Sequence, residues 1–125
     1  MSENEISAII VHSCFTIHQN LGPGLLESVY EEILAYELSE AGLRFTRQTG
    51  LPVFYKGRKL DIGFRADLIV EDKVIVEIKS VENIAPVHPK QVLTYLKITG
   101  LKLGLLVNFN EALIKTGIHR IANKL

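Results

Sequence analysis

The stretch GFRADLIVEDKVIVEIKS, Gly63–Ser80, decides how the rest of the chain is read. Val70, Val74, Ile75, Val76 and Ile78 are strand formers, and Glu71-Asp72-Lys73 between them reads as a turn. The spacing predicts a hairpin of two strands, 63–71 and 74–80. Adjacent residues of a strand face opposite ways, so Glu77 and Lys79 share a face. A three-residue turn with Val70 opposite Val74 sets Asp67 opposite Glu77. A two-residue turn at Glu71-Asp72 sets Ala66 there instead and separates the acids. Two like charges directly opposite are destabilising without a cation between them. A metal site at this hairpin therefore requires the wider turn or a bulge.

Upstream, Ile6, Ile9, Ile10, Ser13 and Ile17 recur at helical spacing and predict a helix over 5–20. His12, Cys14 and His18 lie within it; with no further cysteine, a packed or partly exposed histidine explains His18 better than a ligand does. Asn20-Leu-Gly-Pro-Gly24 breaks the helix. A second helix is expected from Leu25 to Ala41, stopped by Gly42, with Leu26, Val29, Tyr30, Ile33, Leu34 and Leu38 as its apolar face. Glu27 falls in register with Leu34 and Leu38. It is either a first-turn partner of the helix dipole or a buried acid that needs a counter-charge or a metal. Residues 44–56 read as a strand pair or one bent strand, with Pro52 marking an edge or a break and Lys56-Gly-Arg-Lys a turn.

Downstream, residues 81–87 form a loop and a helix is expected over 88–98, ending at Gly100. His88, Gln91, Val92 and Tyr95 line one side of it. Leu101–Val107 is a nearly unbroken apolar run, the pattern of a fully buried strand, and 116–122 reads as a last edge strand. Strand 74–80, helix 88–98 and strand 102–108 form a right-handed parallel crossover. The sheet is thus expected to be mixed, with helices packed against it.

The chain has 125 residues, 47% of them hydrophobic, which fits one domain, 1–125, with one core. No window of about 18 uninterrupted apolar residues exists, so no membrane span is expected. The acidic start Met-Ser-Glu-Asn-Glu does not resemble a secretory signal. The single cysteine, Cys14, excludes a disulfide framework, a cysteine zinc site and an iron–sulfur cluster within one chain, and a reducing cytoplasm is the natural setting. Formal net charge is zero but unevenly spread: residues 1–43 hold seven acids and no Lys or Arg, while 44–125 hold all 14 basic residues against seven acids, +7. A basic second segment suits a polyanion, or the two segments simply attract each other.

Asp67, Glu77 and Lys79 together suggest chemistry. Two carboxylates and the Ile78 carbonyl can hold Mg²⁺, which takes oxygen ligands and keeps several waters. Such a metal lowers the pKa of a bound water and neutralises a phosphate under attack, and Lys79 can orient the water or stabilise developing charge. The plainer alternative is a surface Glu–Lys pair on an edge strand. Here the residues match a known pattern. Asp67 followed by Glu77-Ile78-Lys79 resembles the catalytic signature of the PD-(D/E)xK nuclease superfamily, with Ala66 where the proline commonly stands. Gln91-Val-Leu-Thr-Tyr95 resembles the Q-x-x-x-Y helix motif of one branch. Gly24-Leu-Leu-Glu27-Ser-Val-Tyr30 resembles the motif that names the GxxExxY family, and 18–24 and 104–109 extend the likeness over about residues 8–123.

The resemblance implies a three-layer, restriction-endonuclease-like α/β (α+β) core with a mixed central sheet and helices on both faces. It implies that Asp67 and Glu77 are metal ligands, that Lys79 is the catalytic lysine, and that Glu27 is a helix-borne acid completing the site and its metal shell. Gln91 and Tyr95 would line the site from the following helix. Tyr30 is expected to be a packing and hydrogen-bonding support. The function implied is a Mg²⁺-dependent nuclease (Mn²⁺ as a substitute) acting on DNA or RNA, with a homodimer as a further expectation for so small a domain. Two alternatives stand beside it. One is a non-catalytic nucleic-acid-binding or protein-assembly module retaining the fold, favoured by the zero net charge and by the lack of an evident substrate arm. The other is a hydrolase of a small phosphate compound, for which Gly22-Pro-Gly24 before a helix offers only a weak anion site.

Overall fold

A computed structural model describes residues 1–125, the side chain of Ile62 excepted. Its elements run α1 Glu3–Leu21, α2 Glu27–Glu40, β1 Phe45–Tyr55, β2 Arg58–Val70, β3 Val74–Lys79, α3 Val87–Thr99, β4 Leu103–Asn108, α4 Ile114–Gly117 and β5 Ile118–Ala122. The sheet follows chain order, β1-β2-β3-β4-β5. Only β3 and β4 are parallel, joined through α3; the other neighbours are antiparallel. The crossover and the mixed sheet are as expected.

Alternation along the central strands divides the core in two. Leu68, Val70, Val74, Val76, Ile78, Leu103, Leu105 and Val107 pack with Ile6, Ile10, Cys14 and Ile17 of α1, Tyr30, Leu34 and Leu38 of α2, and Ile114 of α4. On the opposite face Ala66, Ile69, Ile75 and Leu106 pack with Val92 and Leu96 of α3. Helices thus cover both faces of one sheet, the three layers that were anticipated. Burying a side chain of this kind contributes about 1.5–3 kcal/mol. The α3 layer sits close to the strands: a Cβ on Gly104 would lie 2.5 Å from Val92 Cγ1, so glycine sets the spacing there. α1 starts on a capping box, in which Glu5 N–H donates to Ser2 Oγ (3.1 Å) and Ser2 N–H to Glu5 Oε1 (3.0 Å).

The turn between β2 and β3 takes the wider form. Val70 pairs with Val74 across Glu71-Asp72-Lys73, and both Glu71 (φ 53°) and Asp72 (φ 55°) are left-handed. Two boundaries differ from expectation. β2 begins at Arg58, not residue 63, so β1 and β2 form a long hairpin closed by Lys56 (φ 50°) and Gly57 (φ 76°), the geometry that matches strand twist. Within 44–56 the structure takes the bent-strand alternative, β1 being one strand with an irregularity at Pro52/Phe54. The segment at 116–122 is preceded by α4, whose four residues are too few for a periodic signal.

Two expectations about side chains also find their outcome. His18 is half-buried and its Nε2 meets the Glu111 carbonyl at 2.8 Å, a packing role. Cys14 is fully buried, and burial pushes its thiol up to about 12, so it is inert. The acidic first segment is tied to the basic remainder where Arg47 on β1 pairs with Glu31 (3.0 Å) and Glu32 (2.8 Å) on α2.

Candidate active site

Strand pairing between β2 and β3 stops at Leu68↔Val76, one step short of Asp67 and Glu77, although both strands continue. Side chains take over the backbone bonds there. Ile78 N–H donates to Asp67 Oδ2 (2.8 Å), and Asp67 N–H donates to Glu77 Oε1 (3.2 Å). The two acids therefore sit in the gap where the strands part, in the central part of the sheet.

Glu77 is only 7% exposed. Burial, and then the Asp67 charge beside it, pushes its carboxyl up to about 8, only partly offset by the Asp67 N–H and by Lys79. Among the described residues no lysine, arginine or histidine makes an ion pair with Asp67, Glu77 or Glu27. Lys79 is half-buried and also outside any such pair. Its own carbonyl accepts from Phe109 N–H (2.9 Å), which fixes the end of β3 against the segment after β4. Asn108, fully buried, reinforces that end: its Oδ1 accepts from Val81 N–H (3.1 Å) and its Nδ2 donates to the Val81 carbonyl (2.9 Å).

The first turn of α2 closes the gap from one side. Ser80 Oγ donates to the Leu25 carbonyl (2.6 Å), and Ser80 N–H reaches Glu27 Oε2 (3.3 Å). Tyr30 locks the preceding loop: its hydroxyl donates to the Gly22 carbonyl (2.6 Å) and accepts from Leu25 N–H (3.2 Å), and its ring stacks on Phe109 at 4.4 Å. This is the supporting role expected of it. Tyr30→Phe leaves the Gly22 and Leu25 groups without that partner and is expected to cost about 1–2 kcal/mol, read as a lower urea midpoint at unchanged m-value.

Glu27 does not occupy the place its register implied. It is the first residue of α2 and exposed, with no core beneath it, so the apolar stripe begins only at Tyr30. It stands at the dipole-positive end of the helix and lines a cleft of about 360 Å³ with Ser28, Glu31, Gln48, Asp67 and Ile78. The acid that α2 buries is Glu31, 7% exposed, one turn further on. Glu31 Oε1 accepts from Gln48 Nε2 (2.6 Å), and the same nitrogen reaches Asp67 Oδ1 (3.0 Å). Gln48 bridges the helix acid to the strand acid from a left-handed backbone position (φ 49°). Neither Glu31 nor Gln48 was anticipated. The four-residue spacing from Glu27 places Glu31 on the same helix side, but nothing local marks Gln48.

α3 approaches from the other face. Tyr95 is half-buried and stacks on Phe64 of β2 with 4.0 Å between ring centroids. Burial, and the charges of Glu77 and Asp67, raise its phenol above the usual range. Gln91, one turn earlier, is exposed and makes no side-chain hydrogen bond among the described residues.

Glu27 was expected to complete the site of Asp67 and Glu77; it lines one cleft with Asp67. Among the described residues no three His, Cys, Asp or Glu side chains group closely enough to hold a metal. Asp67 and Glu77 come together, Ile78 is beside them, and Glu27 reaches the cleft without joining them. Asp67 spends both oxygens on Ile78 N–H and Gln48. The donor chemistry nonetheless fits a hard divalent cation: two oxygen acids, one of them forced towards its neutral form by burial and by the other's charge.

The family model of the PD-(D/E)XK nuclease superfamily matches residues 4–121 of the chain. The crystal structure of SSO0001 is similar at a TM-score of 0.58 and 23% identity, over 79% of this chain and 51% of that one. The chain thus spans about half the length of that protein, and the likeness bears on the fold alone. No protein of curated function matches.

Proposed function

Since the chain belongs to the PD-(D/E)XK nuclease superfamily, we propose that it is a Mg²⁺-dependent nuclease that hydrolyses phosphodiester bonds from the cleft at the β2–β3 gap. The observation that carries this reading is the acid pair Asp67–Glu77, Asp67 half-buried and Glu77 buried, outside any ion pair among the described residues, with Glu77 pushed up to about 8. In it Asp67, Glu77 and the Ile78 carbonyl would hold the cation, with Glu27 as a further acid on the cleft that Asp67 lines. When bound, the metal supplies charge neutralisation at the phosphate and a more acidic water.

The chain's own residues do the remainder. Lys79, outside any ion pair among the described residues, orients the attacking water or meets charge developing on the phosphate. Gln48 holds Asp67 in place from Glu31, the kind of outer support that fixes a ligand's rotamer. Tyr95 donates a hydrogen bond to a phosphate oxygen, and Gln91 reaches the strand further out. The expected result is cleavage of 5′-labelled oligonucleotides by pure protein in Mg²⁺ or Mn²⁺ and none in EDTA. Single- and double-stranded DNA and RNA run side by side identify the substrate.

A second reading has an observation of its own. Both Asp67 oxygens are already bonded to protein groups, and no cage of three acids is preformed among the described residues. A non-catalytic module that keeps the fold would look the same. It prevails if no metal elicits cleavage of any of the four substrates.

A further inference from the structure

The β1–β2 hairpin outgrows the sheet. β1 and β2 pair from Phe45↔Val70 to Tyr55↔Arg58, but β3 pairs only with Leu68–Val70. Residues 50–65 therefore form an arm about 20 Å long. Its base is braced by the Phe64–Tyr95 stack, and it grows from the strand that carries Asp67.

The arm's composition differs from the rest of the chain. Lys56, Arg58, Lys59 and Arg65 stand against the single acid Asp61, a balance of +3, which leaves −3 for the remainder of a chain of zero formal charge. Phe54 and Tyr55 at its tip are 61% and 64% exposed. Adjacent strand residues point to opposite faces. Across the hairpin Phe54 pairs with Lys59 and Tyr55 with Arg58, so each face of the tip offers one aromatic ring beside one cation. Lys56 Nζ lies 5.5 Å from the Tyr55 ring centroid. A groove of about 500 Å³ runs down the arm past Lys59, Phe64 and Arg65.

We infer that the arm is a binding surface for an unpaired nucleic-acid strand, with Phe54 and Tyr55 stacking on bases and Lys56, Arg58, Lys59 and Arg65 meeting phosphates. Exposed rings interleaved with cations bind single strands because every base has a π-face and every nucleotide a charge. A paired duplex hides its base faces and does not fit rings that protrude. A second copy of the chain fits the arm less well. The outer strand β1 carries Pro52, which has no N–H to donate, and a register irregularity at Pro52/Phe54, both of which oppose strand addition. The inference shares its substrate class with the nuclease reading but requires no cleavage.

The test is fluorescence anisotropy of a dye-labelled 20-mer oligo(dT) with the full chain in EDTA, where turnover is absent. Wild type is expected to bind oligo(dT) more tightly than a blunt 20-base-pair duplex. Phe54→Ala/Tyr55→Ala is expected to weaken oligo(dT) binding tenfold or more. Lys56→Ala/Arg58→Ala/Lys59→Ala is expected to reduce the slope of log K against log salt by about 2. Circular dichroism melts check that these exposed changes leave the fold intact. The inference is overturned if wild type does not bind oligo(dT), if it prefers the duplex, or if both variants bind as wild type does. It is equally overturned if the aromatic variant splits a dimer without changing oligo(dT) affinity, which would make the arm a contact between copies. Cleavage by wild type in Mg²⁺ is read as a separate assay, so failure of cleavage and failure of the arm are separate results.

Discussion

Asp67→Asn is expected to lower metal-dependent cleavage by about 10³-fold while leaving the protein folded. The asparagine oxygen can still accept from Ile78 N–H, so the gap between β2 and β3 keeps its geometry. What disappears is one of two negative charges that would hold the cation. Metal-borne stabilisation of a transition state is worth several kcal/mol, and each 1.36 kcal/mol is tenfold in rate. Single-turnover cleavage at saturating enzyme measures the loss, with a thermal melt as control. Unchanged cleavage would remove Asp67 from the metal's shell, and with it the proposed site.

The second large effect is on stability and needs no substrate. Glu77 has a folded-state pKa of about 8 against a model value of 4.5. Above pH 4.5 the unfolded chain releases this proton while the folded chain retains it. The favourable contribution is therefore complete below about pH 4.5 and is lost as pH rises through about 8. Between pH 5 and pH 7.5 the fall amounts to roughly 3 kcal/mol in EDTA. Glu77→Gln, which cannot ionise, is expected to flatten that fall and to be more stable than wild type at pH 8. Mg²⁺ at millimolar concentration should flatten it in wild type, because a cation that binds only the folded chain favours the ionised acid. Urea denaturation at a series of pH values, with and without Mg²⁺, tests both. A wild-type profile parallel to that of Glu77→Gln in EDTA would mean that Glu77 is not the strained acid described. Asp67→Asn should also flatten the profile in part, since the Asp67 charge is the second cause of the shift.

The elements that could be read directly from the sequence are those that the core dictates. Leu103–Asn108 is buried on both faces, so an unbroken apolar run announces it. Counting across Glu71-Asp72-Lys73 leaves two β2–β3 registers open, because the hairpin is apolar on both faces and either stays buried; the structure takes the one with Val70 opposite Val74. The arm was not visible. No helix covers its far half, so Arg58–Asp61 carries no apolar alternation, and the strand appeared to begin only at Gly63. The same gap hid the arm's role and left the chain apparently without a means to grip a strand.

At the site, Asp67, Glu77 and Lys79 stand close in sequence, and a hairpin needs little else to bring them together. Of the two readings open for Glu27, the structure takes the first-turn partner of the helix dipole, because the helix has only just begun there. The Glu31–Gln48–Asp67 chain depends on a left-handed glutamine, a conformation that no propensity assigns to that residue.

The order of the sheet has a kinetic consequence. With five strands laid down in chain order, every pairing, β3–β4 across α3 included, joins strands with no other sheet strand between them in the chain. Chain entropy is spent slowly in such a topology, and folding can start at the short turn over Glu71-Asp72-Lys73. That turn is also the one that draws Asp67 towards Glu77. Such a turn brings the two acids together early, while burial, the larger cause of the Glu77 shift, comes only when the helices close over the sheet.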